Sequence, residues 1–428
     1  MKILWLCNFP TPEIARKIGV ESIVNEGWIQ GLSEELLKLN GSLVYFFPQN
    51  ISKEVIGGEI GRIEYYGFSQ QVNYNENIKQ LTLLLRKIEP DIIHLMGTEY
   101  AHSSAMIDAC TQASMLDKTV VSIQGMPSVY WKHYLEGVPE YIRRRKRLKD
   151  IIFNFSLYQQ QNQMKKRGES ELHVLKCVYN VFGRTDWDKA CTVQINPKRL
   201  YLHCGEILRK CFYTGEWNVE KIERHSVFFS QATNPIKGLH FAIEAINILS
   251  TKYSDVKLYV GGRDIYTGDL WKKSSYEKYI RDMIHKYNLE NKVIFLGALQ
   301  AEQMKERYLN SNVFVSASTI ENSPNSVGEA MILGVPTITS DVGGVKEMLV
   351  HGMEGYIYPM DEPYMLAYYI DMVFSDDALA MKLGKAAKKR AVKNHDRESV
   401  AKELLTNYNI ILSRSKNKAE ANDLTEVI

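Results

Sequence analysis

Short apolar runs alternate with stretches of helical period along almost the whole chain, and they do so in two rounds. In the first half, residues 3–7, 43–47, 92–95, 120–123 and 178–182 are apolar and strand-sized. Between them, residues 23–39, 77–88, 103–115 and 141–163 place apolar side chains at helical spacing. The second half has strand candidates at residues 227–230, 257–260, 293–296, 313–315, 337–339 and 355–357. There Leu239, Ala242, Ile243, Ile246 and Leu249 form an apolar helix stripe. Near-continuous apolar strands separated by helices require parallel sheets with right-handed crossovers, covered on both faces. A chain of 428 residues, 45% hydrophobic, fills two such cores.

The expected architecture is therefore α/β, with two Rossmann-like parallel-sheet domains facing each other across a cleft where ligands bind at the carboxyl ends of the strands. The expected boundaries are residues 1–205 for the first domain and 206–395 for the second, the linker lying in the polar stretch 202–221. Residues 396–412 read as an amphipathic helix with Val400, Leu404, Tyr408 and Ile411 on one face, and residues 413–428 as a disordered polar tail.

Several classes of function are disfavoured. Net charge is only +3, which gives no global reason to expect nucleic acid as a partner. No apolar run approaches the roughly 20 residues of a membrane-spanning helix, and the opening Met1-Lys-Ile-Leu-Trp-Leu-Cys7 reads as a buried first strand rather than a signal peptide. The six cysteines are scattered without C-x-x-C spacing, as reduced cytoplasmic thiols would be.

The chemistry concentrates in Glu321-Asn-Ser-Pro-Asn-Ser-Val-Gly-Glu329. An apolar strand precedes it, and Ala330-Met-Ile-Leu333 continues it as a helix. Pro324, Asn325 and Ser326 are turn and N-cap chemistry, so one carboxylate lies before the helix and the other about a turn inside it. The first-turn amides of Asn325, Ser326 and Val327 lie between the two acids, and such amides attract phosphate. A nucleotide sugar has the matching layout of ribose, diphosphate and hexose.

This segment resembles the donor-site signature of the retaining glycosyltransferases of family four, which have the GT-B architecture. Gly334-Val-Pro336-Thr-Ile-Thr-Ser340 and Asp341-Val-Gly343-Gly344 match the strand and Gly-Gly turn that follow in that family. The resemblance is close from about Ser226 onward and looser before it. It implies that Glu321 meets the transferred sugar, that Glu329 meets the ribose, and that Lys237 of Lys237-Gly238 meets the diphosphate as a catalytic cation. It further implies that the backbone of Gly297 and Ala298 lies against the nucleobase, and that the terminal helix packs back on the first domain. Two departures stand out: Gln231 occupies the place of the family's arginine, and Gln124, in Gln124-Gly125, that of its histidine.

The first domain is expected to carry the acceptor. Gly27 matches one glycine of the family's phosphate-approaching pair, and Glu26 replaces the other. His94 and His102 stand near a strand end, where each faces the cleft, is packed or faces solvent, and Arg184, at another strand end, either meets an anionic acceptor or braces the cleft. The run Arg143, Arg144, Arg145, Lys146, Arg147 is the densest basic cluster; as part of an amphipathic helix it would dock on the inner membrane face.

The expected activity is transfer, with retention, of a sugar from a nucleotide-sugar donor to a glycan or lipid-linked acceptor in cell-surface polysaccharide or glycoconjugate synthesis. The nucleotide sugar is a co-substrate and no further cofactor is expected. No Asp-x-Asp motif is placed to hold a metal, so none is expected either. Two alternatives remain open: a nucleotide-sugar epimerase on the same fold, and a catalytically idle sugar-nucleotide-binding scaffold.

Overall fold

A computed structural model describes residues 1–20, 27–146, 150, 152, 155–231, 233–267 and 273–425. The chain divides into two compact units. The first comprises Met1–Ser128, Lys166–Ile207 and Asn394–Ile428, and the second Val129–Lys165 and Leu208–Lys393. Residues 129–165, which sequence order would assign to the first domain, thus belong with the second. The helix Leu157–Cys177 is divided between the two units.

The first unit is built on strands β1 (Ile3–Leu6), β2 (Leu43–Gln49), β3 (Ile56–Ile60), β4 (Ile63–Ser69), β5 (Ile92–Leu95), β6 (Thr119–Ser122), β7 (Asn180–Gly183) and β8 (Leu200–His203). Their order is β3-β4-β2-β1-β5-β6-β7-β8, parallel except for the antiparallel β3–β4 pair. Strands β1 and β5 are wholly buried, as their apolar runs require. The predicted helices appear as Tyr74–Ile88, Ala101–Gln112 and Gly27–Leu39; residues 21–26, including Glu26, lie outside the described part.

The helix expected over 141–163 is not continuous. Glu140–Arg143 forms one turn, residues 144–146 leave it, Asp150 and Ile152 are again helical, residues 155–156 are not, and a further helix runs Leu157–Cys177. Successive cations repel one another at helical spacing.

The second unit holds β9 (Glu223–Phe229), β10 (Lys257–Val260), β11 (Val293–Phe295), β12 (Ser311–Ser316), β13 (Thr337–Ser340) and β14 (Tyr356–Tyr358). All pair in parallel in the order β11-β10-β9-β12-β13-β14.

The terminal helix runs from Arg397 to Thr425 and so continues into the stretch expected to be disordered, whose last three residues lie outside the described part. Asp396 caps it by accepting from the Ser399 amide at 2.9 Å. Val400, Leu404, Tyr408 and Ile411 are all buried. A polar relay joins this helix to the first sheet. The Trp5 indole N–H donates to the Tyr408 hydroxyl (2.9 Å), which is hydrogen-bonded to His94 Nδ1 (2.6 Å), and His94 Nε2 is hydrogen-bonded to Ser122 Oγ (2.7 Å). Indole nitrogen is only a donor, which fixes the first bond of the chain; the roles at His94 follow its tautomer.

Candidate functional site

In the second sheet, β9 has β10 on one side and β12 on the other, so the strand order reverses between β9 and β12. At such a reversal the loops leaving the two strands diverge and open a crevice at their carboxyl ends. The loop after β9 carries Gln231 and Lys237, and the loop after β12 carries Glu321.

Lys237 and Glu321 meet across this reversal, Nζ donating to Oε1. Ser318 Oγ donates to the same oxygen at 3.0 Å. Gly238 makes the approach possible. It adopts φ +71°, and a Cβ there would lie 1.8 Å from the Ala317 carbonyl oxygen. The Thr319 amide donates to the Ile236 carbonyl (2.8 Å), joining the two loops one residue from Lys237 and two from Glu321. Thr319 Oγ1 donates to the carbonyl of His133, in the 129–165 segment of the same unit (2.8 Å). On the far side Gly343, at φ +52°, packs where a Cβ would come within 2.0 Å of the Glu321 carbonyl oxygen. The Gly344 amide donates to that oxygen at 3.1 Å. The Gly-Gly turn therefore clamps the backbone of the first acid.

The helix Asn325–Leu333 follows, with Pro324 as its N-cap and no side chain capping the first turn. Tyr308, buried beneath, donates to the Ser326 carbonyl at 2.9 Å. Of the three residues expected to offer amides, Val327 does not: its N–H already reaches the Pro324 carbonyl at 3.0 Å, and its side chain is in the core. Asn325 and Ser326 form the helix mouth, both half-buried.

Glu329, one turn further in, is 3% exposed. Its oxygens accept from Arg209 Nε (2.7 Å) and Nη2 (2.8 Å), a fork-to-fork pair. Burial raises the carboxyl above its ordinary range, and the guanidinium opposes that shift. Arg209 has no sequence signature. It lies in the linker stretch, 120 residues from its partner, and only the fold brings them together.

Gln231 is exposed. Gly297 adopts φ +72°, and its carbonyl accepts from the Gly262 amide at 2.9 Å, so residues 261–262 are a strand-end turn tied to the next strand's exit. Ala298 beside it is exposed.

In the first unit the reversal falls between β1 and β5. His102 bridges it, its Nε2 2.9 Å from Asn8 Oδ1, while its ring stacks on Tyr100. Burial pushes its pKa down to about 4. His94 is 1% exposed, with both ring nitrogens engaged in the relay above and its pKa pushed by burial down to about 3. It packs within the first unit, where it also lines a small cavity with Ser122, Gln124 and Arg184. Arg184 pairs with Glu206 and donates to the Ile123 carbonyl (2.9 Å), so it braces three loops. Gln124, half-buried, accepts weakly from Arg184 at 3.3 Å. Gly27 opens the helix Gly27–Leu39.

Three residues of the basic run have partners within the chain. Arg143 Nε donates to the Val138 carbonyl (2.6 Å), Arg144 pairs with Glu140 (2.6 Å), and Arg145 lies 3.8 Å from Asp282. Arg147 is outside the described residues. Among the described residues no group of three or more His, Cys, Asp or Glu is arranged to hold a metal, and no helix is long and apolar enough to cross a membrane.

Residues 218–390 match the family model described as "Glycosyl transferases group 1". An uncharacterized glycosyltransferase of Methanocaldococcus jannaschii is 28% identical over 195 residues, covering 45% of this chain and 47% of the relative. The capsular polysaccharide biosynthesis glycosyltransferase CapM of Staphylococcus aureus is 28% identical over 182 residues, covering 42% and 45%. The matches thus span about half the length of these curated relatives. Among solved structures, Anabaena HepE in complex with UDP-glucose superposes with a TM-score of 0.64 at 16% identity, covering 95% of this chain and 98% of that one. At that identity the likeness establishes the fold, which is GT-B.

Proposed function

We propose that this chain, which belongs to the group 1 glycosyl transferases through residues 218–390, moves a sugar from a nucleoside diphosphate donor to a glycan or lipid-linked acceptor with retention at the anomeric carbon. The observation that carries this reading is the Lys237–Glu321 contact across the strand-order reversal, beside a helix mouth with no side-chain cap. In the free protein the two side chains neutralise each other. A diphosphate entering at the Asn325–Ser326 amides would take over the ammonium of Lys237. Glu321, released, would accept a hydroxyl of the sugar to be transferred. Charge growing on the departing phosphate is then met by Lys237 and the helix mouth, which favours the transition state over the ground state.

Glu329 is assigned to the ribose hydroxyls. Arg209 takes one lone pair on each oxygen, and the remaining two are available to a diol. Gly297 and Ala298 would meet the nucleobase through their backbone. Gln231 carries no charge, so leaving-group stabilisation rests on Lys237 and the amides. The departing diphosphate takes the acceptor's proton, so no protein base is needed, consistent with two neutral, low-pKa histidines in the first unit. The acceptor is assigned to the first unit, near Gln124 and His102. The glycan class follows the CapM likeness, and the nucleoside diphosphate donor the UDP-glucose complex of HepE. Six free thiols suit a cytoplasmic setting.

The test is incubation with a panel of nucleoside diphosphate sugars, with and without acceptor glycans. Nucleoside diphosphate release, a product of retained configuration by proton NMR, and loss of both in Lys237→Ala are expected. Isomerised donor formed without acceptor would identify an epimerase. Donor binding with no turnover against any acceptor would identify an idle scaffold.

A further inference from the structure

The helix Asp377–Asn394 packs Ala380, Leu383, Gly384, Ala387 and Ala391 into the second unit. Its opposite face carries Lys382, Lys385, Lys389 and Lys393, all exposed. At about 100° per residue these four ammonium groups fall within an arc of about 80° and extend over about 16 Å. From residue 378 to 394 the sequence holds six cations and no acid. Two of the six are paired, Lys388 with Glu216 and Arg390 with Glu354. The other four have no acidic partner among the described residues. Like charges three and four residues apart destabilise a helix, so the stripe costs the fold stability with no intramolecular return. Beside the lysines, on one flank of the stripe, Met381 and Val392 are about half-exposed.

We infer that this helix face is a docking surface for a membrane bearing anionic phospholipid. Ammonium groups in a row complement a sheet of phosphate headgroups, and each contributes about a fivefold gain in binding near such a surface. Met381 and Val392 are placed to enter the headgroup boundary beside them. A nucleic acid would gain little from this face, because no aromatic ring stands in the stripe to stack on bases. The run at 143–146, denser in sequence, has Arg143 held by the Val138 carbonyl and Arg144 and Arg145 beside Glu140 and Asp282, so fewer of its charges are unpaired. The inference does not depend on the proposed transfer reaction, since binding is read without substrate.

Flotation of the full chain with phosphatidylcholine vesicles, with and without phosphatidylglycerol, tests it. Binding is expected only with the anionic lipid, falling as salt is raised. Lys385→Gln with Lys389→Gln should weaken it about 25-fold, with the melting temperature unchanged or raised as repulsion is relieved. Arg144→Gln with Arg145→Gln should leave it unchanged. Equal flotation with neutral vesicles, equal binding by the lysine variant, loss in the arginine variant, or tighter binding to a single-stranded RNA than to vesicles would each overturn the inference.

Discussion

Lys237 and Glu321 are 84 residues apart in sequence and share one hydrogen bond. Their pairing in the free protein makes each a placeholder for what the donor brings. Removing the ammonium in Lys237→Ala should lower kcat/KM by roughly 10²–10³, the usual cost of one preorganised charge at a developing anion; steady-state kinetics with the preferred donor measures this. Gly238 is as constrained as the side chains it positions. Gly238→Ala combines a left-handed backbone with a clash against Ala317, an expected loss of about 3 kcal/mol, visible as a lowered melting temperature. Lys237, Glu321 and their glycines were legible in the sequence because motif and turn chemistry are local. Arg209 was not, because nothing near it in the chain announces a partner one hundred and twenty positions away. His94 read as a site candidate for the opposite reason. A histidine at a strand end looks the same in sequence whether it faces solvent or a tyrosine from the last helix.

The central strands of both sheets were readable from their apolar runs, since a strand buried on both faces has no polar side to confuse the pattern. The outlying β3, β4 and β8 were missed. Strand β3 alternates half-buried and exposed residues around Gly57 and Gly58, and β8 is nowhere fully buried. Helix Leu157–Cys177 carries an element-scale switch. Glu171, wholly buried, accepts from the Ser128 amide (2.9 Å) and Thr98 Oγ1 (2.8 Å), tying together two loops of the first unit. Burial raises its pKa to about 7 against the opposing pull of those bonds. The native carboxyl therefore keeps its proton where the unfolded one has lost it. Stability should fall as pH rises from about 4.5 to about 7 and level off above, a change of about 3 kcal/mol. Melting curves of Glu171→Gln across that window should be flatter than those of the native protein. At the terminal helix, Tyr408→Phe strands the buried Trp5 N–H and His94 Nδ1, with an expected cost of about 2–4 kcal/mol by denaturant titration.

At the scale of the molecule, the two rounds of strand and helix gave the number of units but not their composition. Residues 129–165 belong with the second unit because its surface needs them. His240 reaches the Glu136 carbonyl at 3.1 Å, a Cβ on Gly137 would meet Phe241 at 2.2 Å, and Thr319 holds His133. No local pattern marks a segment whose partners lie a hundred residues downstream. Residues 208–393 produced alone should consequently lack a sharp calorimetric transition, and a fragment that also retains residues 129–165 should recover one.

The relay from Trp5 through Tyr408 to His94 also sets a timetable. Its first and second members are separated by 403 positions, so on a translating ribosome the opening strand emerges long before the hydroxyl that completes it. Until then the Trp5 N–H and His94 Nδ1 lack their common partner. The first strand of the sheet therefore completes its polar contacts only once the terminal helix has been made.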